Sequence, residues 1–567
     1  MHTYVHELQL GINRYLIDNS SVMNHVGEYN IFEIKDSLHN RQKAPVFITE
    51  CLYNVSYTGT IFNIMYQESS WCSENRTVMI ETPGVIHLKS HGARTTAEYN
   101  PFVRLYTDKG IVTLHVLAVG DWEISVDFNR HNDTHTIKSG LLSDGLSMKL
   151  KPGERITLPE ILIHEFPSDD ENACNEEFQK YLNHRFLSKK AVNLPTVYNS
   201  WFYDFDKFSA DDLKNQALAA KELGARVFVV DAGWYGPEND DWSKAAGDWR
   251  EKKAGGFLGK MKSFAKYVRS IGMDFGLWIE PEKVCAGTPV IELHPKWFIK
   301  SDEGVFYPDL MRPATFNYLY RTICKIIERY DVKWLKFDFN FPLKNDPHKS
   351  NFFRHMSRFY EMVELIREAY PGTVLEGCQS GAMRADLEST RYFDTQFLSD
   401  TVRPRDIVEI FSNSLCRFSP SMLSKWIVVR CVKGIPRYGT PLNRAEGHLI
   451  VPKGPTWDNF ESCDTATLCH LIYLGQTGFS GDLTGLDEKT IEMIKTHLGI
   501  YERYFKGYAT TAICLKTNEP GWSIFRIQSE VAEITVAFRK PGSVRECNGI
   551  KMPGTDYACS RLRKKNL

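Results

Sequence analysis

The stretch DVKWLKFDFN, residues 331–340, decides how the middle of the chain is interpreted. Apolar residues such as Trp334 and Phe337 give it the pattern of a buried strand, yet Lys336 and Asp338 interrupt that pattern. These two charged residues are two positions apart, so their side chains point to the same side of a strand. Because a buried, unpaired carboxylate costs several kcal/mol, Asp338 is either half of a structural ion pair with Lys336 or a functional group at the end of the strand.

Strand and helix patterns alternate on both sides of this stretch. Short apolar runs occur in TVYNSW, RVFVVDAGW, DFGLWIE, TVLEGC, YFDTQFLSD and LIYLGQTGFSGD, and segments such as SADDLKNQALAAKELGA have helical spacing and end near Gly. Repeated strand–helix units indicate a parallel sheet covered by helices. Eight units fit between about 190 and 490, so the spacing predicts a (β/α)8 TIM barrel.

The two ends of the chain have a different pattern of polar and apolar residues. Segments such as IFNIMYQ and IVTLHVLAV before residue 190, and GWSIFRIQ and AEITVAFRK after residue 505, alternate between polar and apolar residues. Such alternation, separated by turn residues, is typical of antiparallel sheets. We therefore predict an α/β protein with an N-terminal β-sandwich over residues 1–190, the barrel over 191–500 and a small C-terminal antiparallel β domain over 501–567.

Composition excludes several classes of function. The 567 residues include 69 Lys and Arg against 70 Asp and Glu, and this balance offers no general attraction for nucleic acid. The chain has no apolar run of about 18 residues and no signal-peptide pattern at its start, so we expect a cytoplasmic protein that does not enter a membrane. The 13 Cys form no CxxC pairs and the 17 His are dispersed, which predicts neither a disulfide framework nor a metal site.

Polar side chains close several of the predicted strands. In a parallel barrel such positions face the active site at the C-terminal ends of the strands. Two carboxylates in one pocket suit glycoside cleavage, in which one attacks the anomeric carbon and the other protonates the leaving oxygen. Asp338 beside the ammonium of Lys336 suits the attacker, and Asp400 in the apolar run FLSD suits the acid. The residues at these strand ends are Asp231, Glu280, Glu282, Asp338, Cys378 and Asp400.

A series of motifs in the same order resembles glycoside hydrolase family 36, the melibiase-type α-galactosidases. They are similar to the NSWE, DDGW, GDW, GMKFGLWFEPEMV, HPDW, YIKWDMN, CSGGGGRFDL and WTSDN segments of that family. The matching segments are YNSWFYDF, VVDAGW, GDW at 247–249, GMDFGLWIEPEKV, HPKW, WLKFDFN, CQSGAMRADL and FLSDT.

The resemblance implies a retaining, exo-acting α-glycosidase acting on a terminal α-galactoside or a related sugar. Asp338 would be the nucleophile and Asp400 the acid/base, and neither a metal nor an organic cofactor is implied. The partner would be an oligosaccharide or other glycoside, and a homo-oligomer is compatible with the family. The residues expected to bind the sugar are Trp201, Asp231, Trp278, Lys336, Cys378 and Gly381. The two Trp could instead be barrel packing, and Cys378 a buried thiol.

The sequence departs from the family pattern at specificity positions. Ala232 follows Asp231 where the family has two adjacent aspartates, Gln379 follows Cys378 where the family is glycine-rich, and Arg312 is the nearest candidate for a family arginine. Losing a hydroxyl acceptor changes discrimination strongly. This leaves open a glycone altered at C4 or C6, such as a pentopyranoside or a 6-substituted sugar, and also an N-acetylgalactosaminide. A transglycosylase and a non-catalytic carbohydrate-binding protein also remain open.

Overall fold

The N-terminal part of the chain forms two antiparallel sheets that enclose an apolar core. The structure, a computed structural model, describes residues 6–11, 17–81, 84–128, 133–237, 241–253, 256–429, 448–452, 460–553 and 557–565. The first sheet has the order β1-β5-β12-β11-β8: His6–Leu10, Cys51–Thr58, Thr134–Leu141, Trp122–Asp127 and Ile86–Lys89. The second has the order β14-β3-β15-β10-β9-β6-β7, with β2 on β3: Arg155–Thr157, Ile31–His39, Ile161–Phe166, Gly110–Val116, Phe102–Thr107, Ile61–Ser70, Ser73–Glu81 and Asp18–Val26. Two short strands pair separately, β4 (Val46–Ile48) with β13 (Met148–Leu150).

The middle of the chain closes into the predicted parallel barrel, which confirms the fold class. Its strands, in order around the barrel, are β16 (Val197–Asn199), β17 (Val227–Val230), β18 (Asp274–Ile279), β22 (Val332–Phe337), β23 (Val374–Gly377), β24 (Thr395–Phe397), β25 (Leu423–Val429) and β28 (Gln476–Gly481). The helices are α1 (Glu171–Arg185), α2 (Trp201–Asp204), α3 (Ala210–Leu223), α4 (Met261–Ser270), α5 (Pro289–Leu293), α6 (Pro313–Tyr330), α7 (Phe353–Ala369), α8 (Pro404–Ser414), α9 (Thr465–His470) and α10 (Glu488–Tyr504).

Local sequence explains why these helices begin and end where they do. Helix α3 begins after Ser209, whose side chain accepts a hydrogen bond from the Asp212 amide. It ends at Gly224, whose φ of 113° is left-handed, a conformation that glycine adopts without steric cost. The chain can therefore turn directly into β17.

Small sheets complete the architecture. Beside the barrel lie a sheet of β19 (Val284–Cys285), β21 (Val305–Pro308) and β20 (Phe298–Asp302), and a hairpin of β26 (His448–Pro452) and β27 (Phe460–Asp464). The C-terminal antiparallel sheet contains β29 (Thr511–Leu515), β30 (Trp522–Gln528), β31 (Ala532–Arg539) and β34 (Ala558–Lys564), with β32 (Glu546–Cys547) and β33 (Ile550–Lys551) paired nearby. Domain boundaries at 190/191 and 500/501 stay predictions. In the described residues, no helix is both long and apolar enough to cross a membrane.

The N-terminal sheets are bonded directly to the barrel. The Thr96 amide donates to the Met383 carbonyl at 3.1 Å, and Asn75 Nδ2 donates to Ser414 Oγ at 2.9 Å. Gln67 Nε2 donates to the Asn413 carbonyl at 2.7 Å. These contacts hold the β6–β7 hairpin against the end of helix α8 and the loop after β8 against the loop that follows β23.

Candidate active site

A cavity of about 440 Å³ lies at the C-terminal ends of the barrel strands. Most of the predicted site residues line it, because each lies near the end of a barrel strand or within three residues after it. These residues are Trp201, Asp231, Trp278, Lys336, Asp338 and Asp400. The barrel therefore brings the two predicted catalytic carboxylates into one cavity.

Asp338 is held by hydrogen bonds from N–H groups. Trp278 Nε1 donates to its Oδ2 at 3.0 Å. Its Oδ1 accepts from the amide of Phe339 at 2.7 Å and from the amide of Ser380 at 3.0 Å. A carboxylate that only accepts hydrogen bonds is suited to carry a negative charge. These bonds also fix the direction in which the carboxylate faces the cavity.

Lys336 pairs with Asp231 rather than with its strand neighbour Asp338, which corrects the ion pair considered from the sequence. Its Nζ lies 3.2 Å from Asp231 Oδ2, and both residues are buried. The ammonium also lies 4.1 Å from the ring centroid of Trp426, a cation–π distance. Burial opposes the charge, but the carboxylates led by Asp231 raise the pKa of Lys336 above its ordinary value.

Asp231 is held on several sides. Asn199 Nδ2 donates to its Oδ2 at 2.6 Å, and the amide of Ala232 donates to its Oδ1 at 2.9 Å. Its own amide donates to Ser200 Oγ at 3.0 Å. Asn199 and Ser200 belong to the motif YNSW. These two polar residues form hydrogen bonds with Asp231, while Trp201 of the same motif lines the cavity. Ala232 also lines the cavity, with only a methyl group.

Asp400 has surroundings that favour its protonated form. Burial, followed by the charge of Asp338, raises the pKa of Asp400 to about 6, although Lys336 and a hydrogen bond from Trp71 act in the opposite direction. Trp71 Nε1 donates to Asp400 Oδ2 at 2.8 Å. The two carboxylates in the cavity therefore have unlike environments, as an acid and a nucleophile require.

Cys378 and Gly381 are not among the residues that line the cavity. Cys378 is fully buried, and burial together with Asp338 raises the pKa of its thiol well above the usual range. Gly381 has a φ of 71°, and a Cβ at this position would lie 2.7 Å from both the Asp400 amide nitrogen and Glu74 Oε1. Gly381 thus lets the segment carrying Asp400 approach closely. Sugar-binding roles for Cys378 and Gly381 stay predictions.

Glu280 and Glu282, the other carboxylates at strand ends, lie outside the cavity lining. Burial would raise the pKa of Glu282, but Arg384 and His355 lower it to about 2. Arg384 Nη1 lies 2.7 Å from Glu282 Oε2. Burial raises the pKa of Glu280 to about 7, and its Oε1 accepts from the Asn340 amide at 2.6 Å. We infer that both support the loops around the cavity.

Gln379, where the sequence departs from the glycine-rich family pattern, and Arg312, the nearest candidate for the family arginine, do not line the cavity. The Arg312 side chain is 51% exposed and lies 3.2 Å from Asp309. Gln379 is buried beside the cavity-lining Ser380. Among the described residues, the arginine that does line the cavity is Arg94, from the loop after β8.

Sequence reasoning missed lining residues of two kinds. Trp71 and Arg94 come from the N-terminal sheets, where the sequence carries no recognisable motif, although a Trp in the turn-rich ESSWCSE is unusual enough to attract notice. Trp426 lies on β25, a strand that was not identified from the run LSKWIVV. The remaining lining residues that were not predicted are Phe202, Trp242, Asn340 and Ser380.

Comparison with known proteins identifies the family of this chain. The family model described as Melibiase matches residues 158–449, just over half of the chain. This chain belongs to the Melibiase family, within glycoside hydrolase family 36. The Melibiase match contains Asp231, Lys336, Asp338 and Asp400 but begins after Trp71 and Arg94.

Curated relatives of this Melibiase chain are bacterial and fungal α-galactosidases. Alpha-galactosidase Mel36A of Lactobacillus acidophilus is 23% identical over 559 residues, covering 94% of this chain and 72% of that protein. The bifunctional alpha-galactosidase/sucrose kinase AgaSK of Mediterraneibacter gnavus is 26% identical over 336 residues, covering 56% of this chain and 35% of that protein. The aligned region is thus only part of the length of each relative.

Solved structures share the fold. The galactosidase domain of AgaSK superposes with a TM-score of 0.83 at 17% identity, covering 98% of this chain and 81% of that chain. Alpha-galactosidase AgaA of Geobacillus stearothermophilus gives a TM-score of 0.78 at 17% identity, covering 100% of this chain and 88% of that chain. The similarity therefore extends beyond the barrel to the flanking sheets.

Proposed function

We propose that this chain is a retaining, exo-acting α-glycosidase that removes terminal α-galactosyl residues, with Asp338 as nucleophile and Asp400 as acid/base. The observation that carries the proposal is the unlike environment of two carboxylates in one cavity. Asp338 accepts three N–H hydrogen bonds, whereas burial and the charge of Asp338 raise the pKa of Asp400 to about 6. Retaining glycosidases need this division between an ionised and a protonated carboxyl group.

In the first step, an Asp338 carboxylate oxygen forms a bond to the anomeric carbon as the bond to the leaving oxygen breaks. The proton of Asp400 moves to that oxygen, so the aglycone departs as a neutral alcohol. In the second step, Asp400 takes a proton from water, whose oxygen displaces Asp338 from the anomeric carbon. Two inversions give net retention, and both carboxyl groups return to their starting states.

The remaining cavity residues would bind and orient the sugar. Asp231 and Lys336, paired at 3.2 Å, present an acceptor and a donor for sugar hydroxyl groups, while Trp201 and Trp278 offer aromatic faces to its C–H groups. The barrel closes the cavity at its base, so the cavity accommodates the terminal sugar of a substrate better than an internal sugar. The relatives' names support an α-galactoside as substrate, and a doubly substituted variant of AgaA has been crystallised in complex with stachyose.

Ala232 supports a second candidate, a glycone altered at C4 or C6. It lines the cavity where the family pattern places a second aspartate. Without that carboxylate the pocket has one fewer acceptor for a sugar hydroxyl, so a pentopyranoside or a 6-substituted sugar would lose less binding here than in the family pattern. Transfer to a sugar hydroxyl instead of water would use the same glycosyl-enzyme.

A panel of nitrophenyl glycosides tests the proposal. The α-galactoside, α-N-acetylgalactosaminide, β-L-arabinopyranoside and α-glucoside are compared at matched concentration, with Asp338→Asn as the blank. Fastest cleavage of the α-galactoside, absent from the blank, supports the first candidate, and a faster pentopyranoside supports the second. A sugar that binds without turnover by the wild-type protein would indicate a carbohydrate-binding protein instead.

Azide rescue tests the two catalytic roles separately. In Asp338→Ala, azide should replace the nucleophile and give the β-galactosyl azide by a single inversion. In Asp400→Ala, azide should intercept the glycosyl-enzyme and give the α-galactosyl azide, since two inversions have occurred. Proton NMR of the products distinguishes the two anomers, and Asp231→Asn, which removes neither role, should give no azide adduct. The reverse assignment of anomers would exchange the roles of the two aspartates.

A further inference from the structure

The residues that line the cavity differ in solvent exposure. We call the buried part of the lining, with Asp231, Trp278 and Lys336, the floor, and the more exposed part, with Trp71, Arg94 and Asp400, the mouth. Asp231, Trp278 and Lys336 are buried to between 1% and 4% exposure, and they follow or lie within barrel strands. By contrast, Trp71 is 43% exposed, and Arg94 and Asp400 are partly exposed. The glycone belongs on the floor beside Asp231 and Lys336, so the mouth, where Asp400 meets the leaving oxygen, receives the leaving group.

Arg94 is a cation at this mouth that has no carboxylate at salt-bridge distance among the described residues. In the part of the chain that the structure describes, it forms no salt bridge, whereas Lys336, the other cation lining the cavity, lies 3.2 Å from Asp231. Its Nη2 donates to the Gln379 carbonyl at 3.4 Å, and its Nε is buried with no hydrogen-bond partner among the described residues. A buried N–H group without a hydrogen-bond partner is costly, so a ligand that accepts from Arg94 would stabilise it.

The backbone that carries Arg94 is held in place from both sides. Asp121 accepts hydrogen bonds from the amides of Gly92 and Ala93 at 3.0 and 2.8 Å. Arg384 Nε donates to the Ala93 carbonyl at 2.6 Å, and the Thr96 amide donates to the Met383 carbonyl at 3.1 Å. The guanidinium is thus presented by a preorganised loop, which lowers the entropy cost of binding a ligand.

Charges of both signs lie near Arg94, and its guanidinium stays protonated among them. Burial and the neighbouring Arg384 lower the pKa of Arg94 to about 10, although Asp338, Asp400 and Glu280 act in the opposite direction, so it is a cation at neutral pH. Guanidinium groups bind carboxylate, sulfate or phosphate through paired N–H donors. At the mouth of the cavity, such an anion would belong to the leaving group and not to the terminal sugar.

We propose that Arg94 determines specificity for leaving groups that carry an anionic substituent, such as a carboxylate, sulfate or phosphate. This inference rests on the proposed glycosidase function. It concerns a residue outside the region of the family match, so it assigns to the N-terminal sheets a part in choosing the aglycone.

The test compares two aryl α-galactosides, one with a meta-carboxylate and one with the isosteric, neutral meta-carboxamide on the leaving phenol. The measured quantity is the ratio of kcat/KM for the carboxylate to kcat/KM for the carboxamide. Because each ratio is compared between proteins, the intrinsic difference in phenol reactivity cancels. We expect Arg94→Gln to lower the ratio at least tenfold, and Arg94→Lys, which keeps the charge but loses the planar donor pair, to give an intermediate ratio.

Arg312→Gln is the matched control, since Arg312 is an exposed cation outside the cavity, and it should keep the wild-type ratio. Should Arg94→Gln fail to fold, Arg94→Lys still tests the proposal through its ratio. An unchanged ratio in folded Arg94 variants that cleave the carboxamide would overturn the inference alone. Absence of cleavage of both substrates by the wild-type protein would overturn the proposed function as well.

Discussion

If Asp400 is the acid of the proposed mechanism, Trp71 sets the pH range in which it can act, and Trp71→Phe tests this directly. Trp71 Nε1 donates to Asp400 Oδ2 at 2.8 Å, and this hydrogen bond lowers the pKa of Asp400, which burial and Asp338 raise to about 6. Phe keeps an aromatic ring but has no N–H donor. Removing the donor destabilises the ionised form of Asp400, so its pKa should rise in the variant.

The magnitude follows from the strength of one hydrogen bond to a charged group, about 1.5–3 kcal/mol when buried. Trp71 is 43% exposed, so water replaces part of the lost interaction. We therefore expect a rise of about 0.5–1 pKa unit, equivalent to about 0.7–1.4 kcal/mol. Well above the pKa, the protonated fraction of Asp400 then increases by about three- to tenfold.

The assay is the pH dependence of kcat/KM for a nitrophenyl α-galactoside, which reports groups of the free enzyme. Because the first step needs protonated Asp400, activity should fall as pH rises through a value near 6. This fall should occur at higher pH in Trp71→Phe. Trp242→Phe, which changes another Trp lining the cavity, should keep the wild-type profile. A profile that stays in place or moves to lower pH in Trp71→Phe would refute the assigned role of the indole.

Three further substitutions probe the floor of the cavity and the space beside Asp400. Lys336→Met leaves Asp231 buried without its partner at 3.2 Å and should lower the free energy of unfolding in urea by about 3 kcal/mol; an unchanged midpoint would contradict this. Gly381→Ala forces a Cβ to 2.7 Å from the Asp400 amide nitrogen at a φ of 71°, and should cost about 1–3 kcal/mol in the same measurement and lower kcat. Ala232→Asp adds a hydroxyl acceptor to the cavity, so the ratio of kcat/KM for the α-galactoside to that for the β-L-arabinopyranoside should rise about tenfold or more; a falling ratio would refute the assigned role of this position.

The barrel could be predicted because its elements are encoded locally. Apolar runs closed by polar residues mark the strands, and the cap residues Ser209 and Gly224 mark the ends of α3. Strand β25 could not be recognised in the same way. It carries Lys425, a buried lysine that donates to Thr477 Oγ1 at 3.1 Å, and this charge interrupts the apolar pattern of the strand.

The residues of the cavity floor could also be predicted, but the pairing of Lys336 with Asp231 could not. Strand periodicity places Lys336 and Asp338 on one side of β22 and suggests that they interact. In the closed barrel, inward side chains from alternate strands share a layer. Asp231 follows β17, which is separated from β22 by β18, so Lys336 meets Asp231 across the interior. This partnership depends on closure of the sheet and cannot be inferred from one strand.

The mouth of the site depends on contacts between distant parts of the chain. Trp71 and Asp400 are separated by 329 residues, and no local pattern links a turn between antiparallel strands to a barrel strand end. In the proposed mechanism, the N-terminal sheets therefore contribute groups that act on the proton donor and on the leaving group, whereas the barrel contributes the groups that would contact the glycone. It follows that substitutions at Trp71 or Arg94 should alter pH dependence and aglycone preference, while those at Ala232 should alter the choice of sugar. A change of sugar preference caused by Arg94→Gln would contradict this separation of roles between the N-terminal sheets and the barrel.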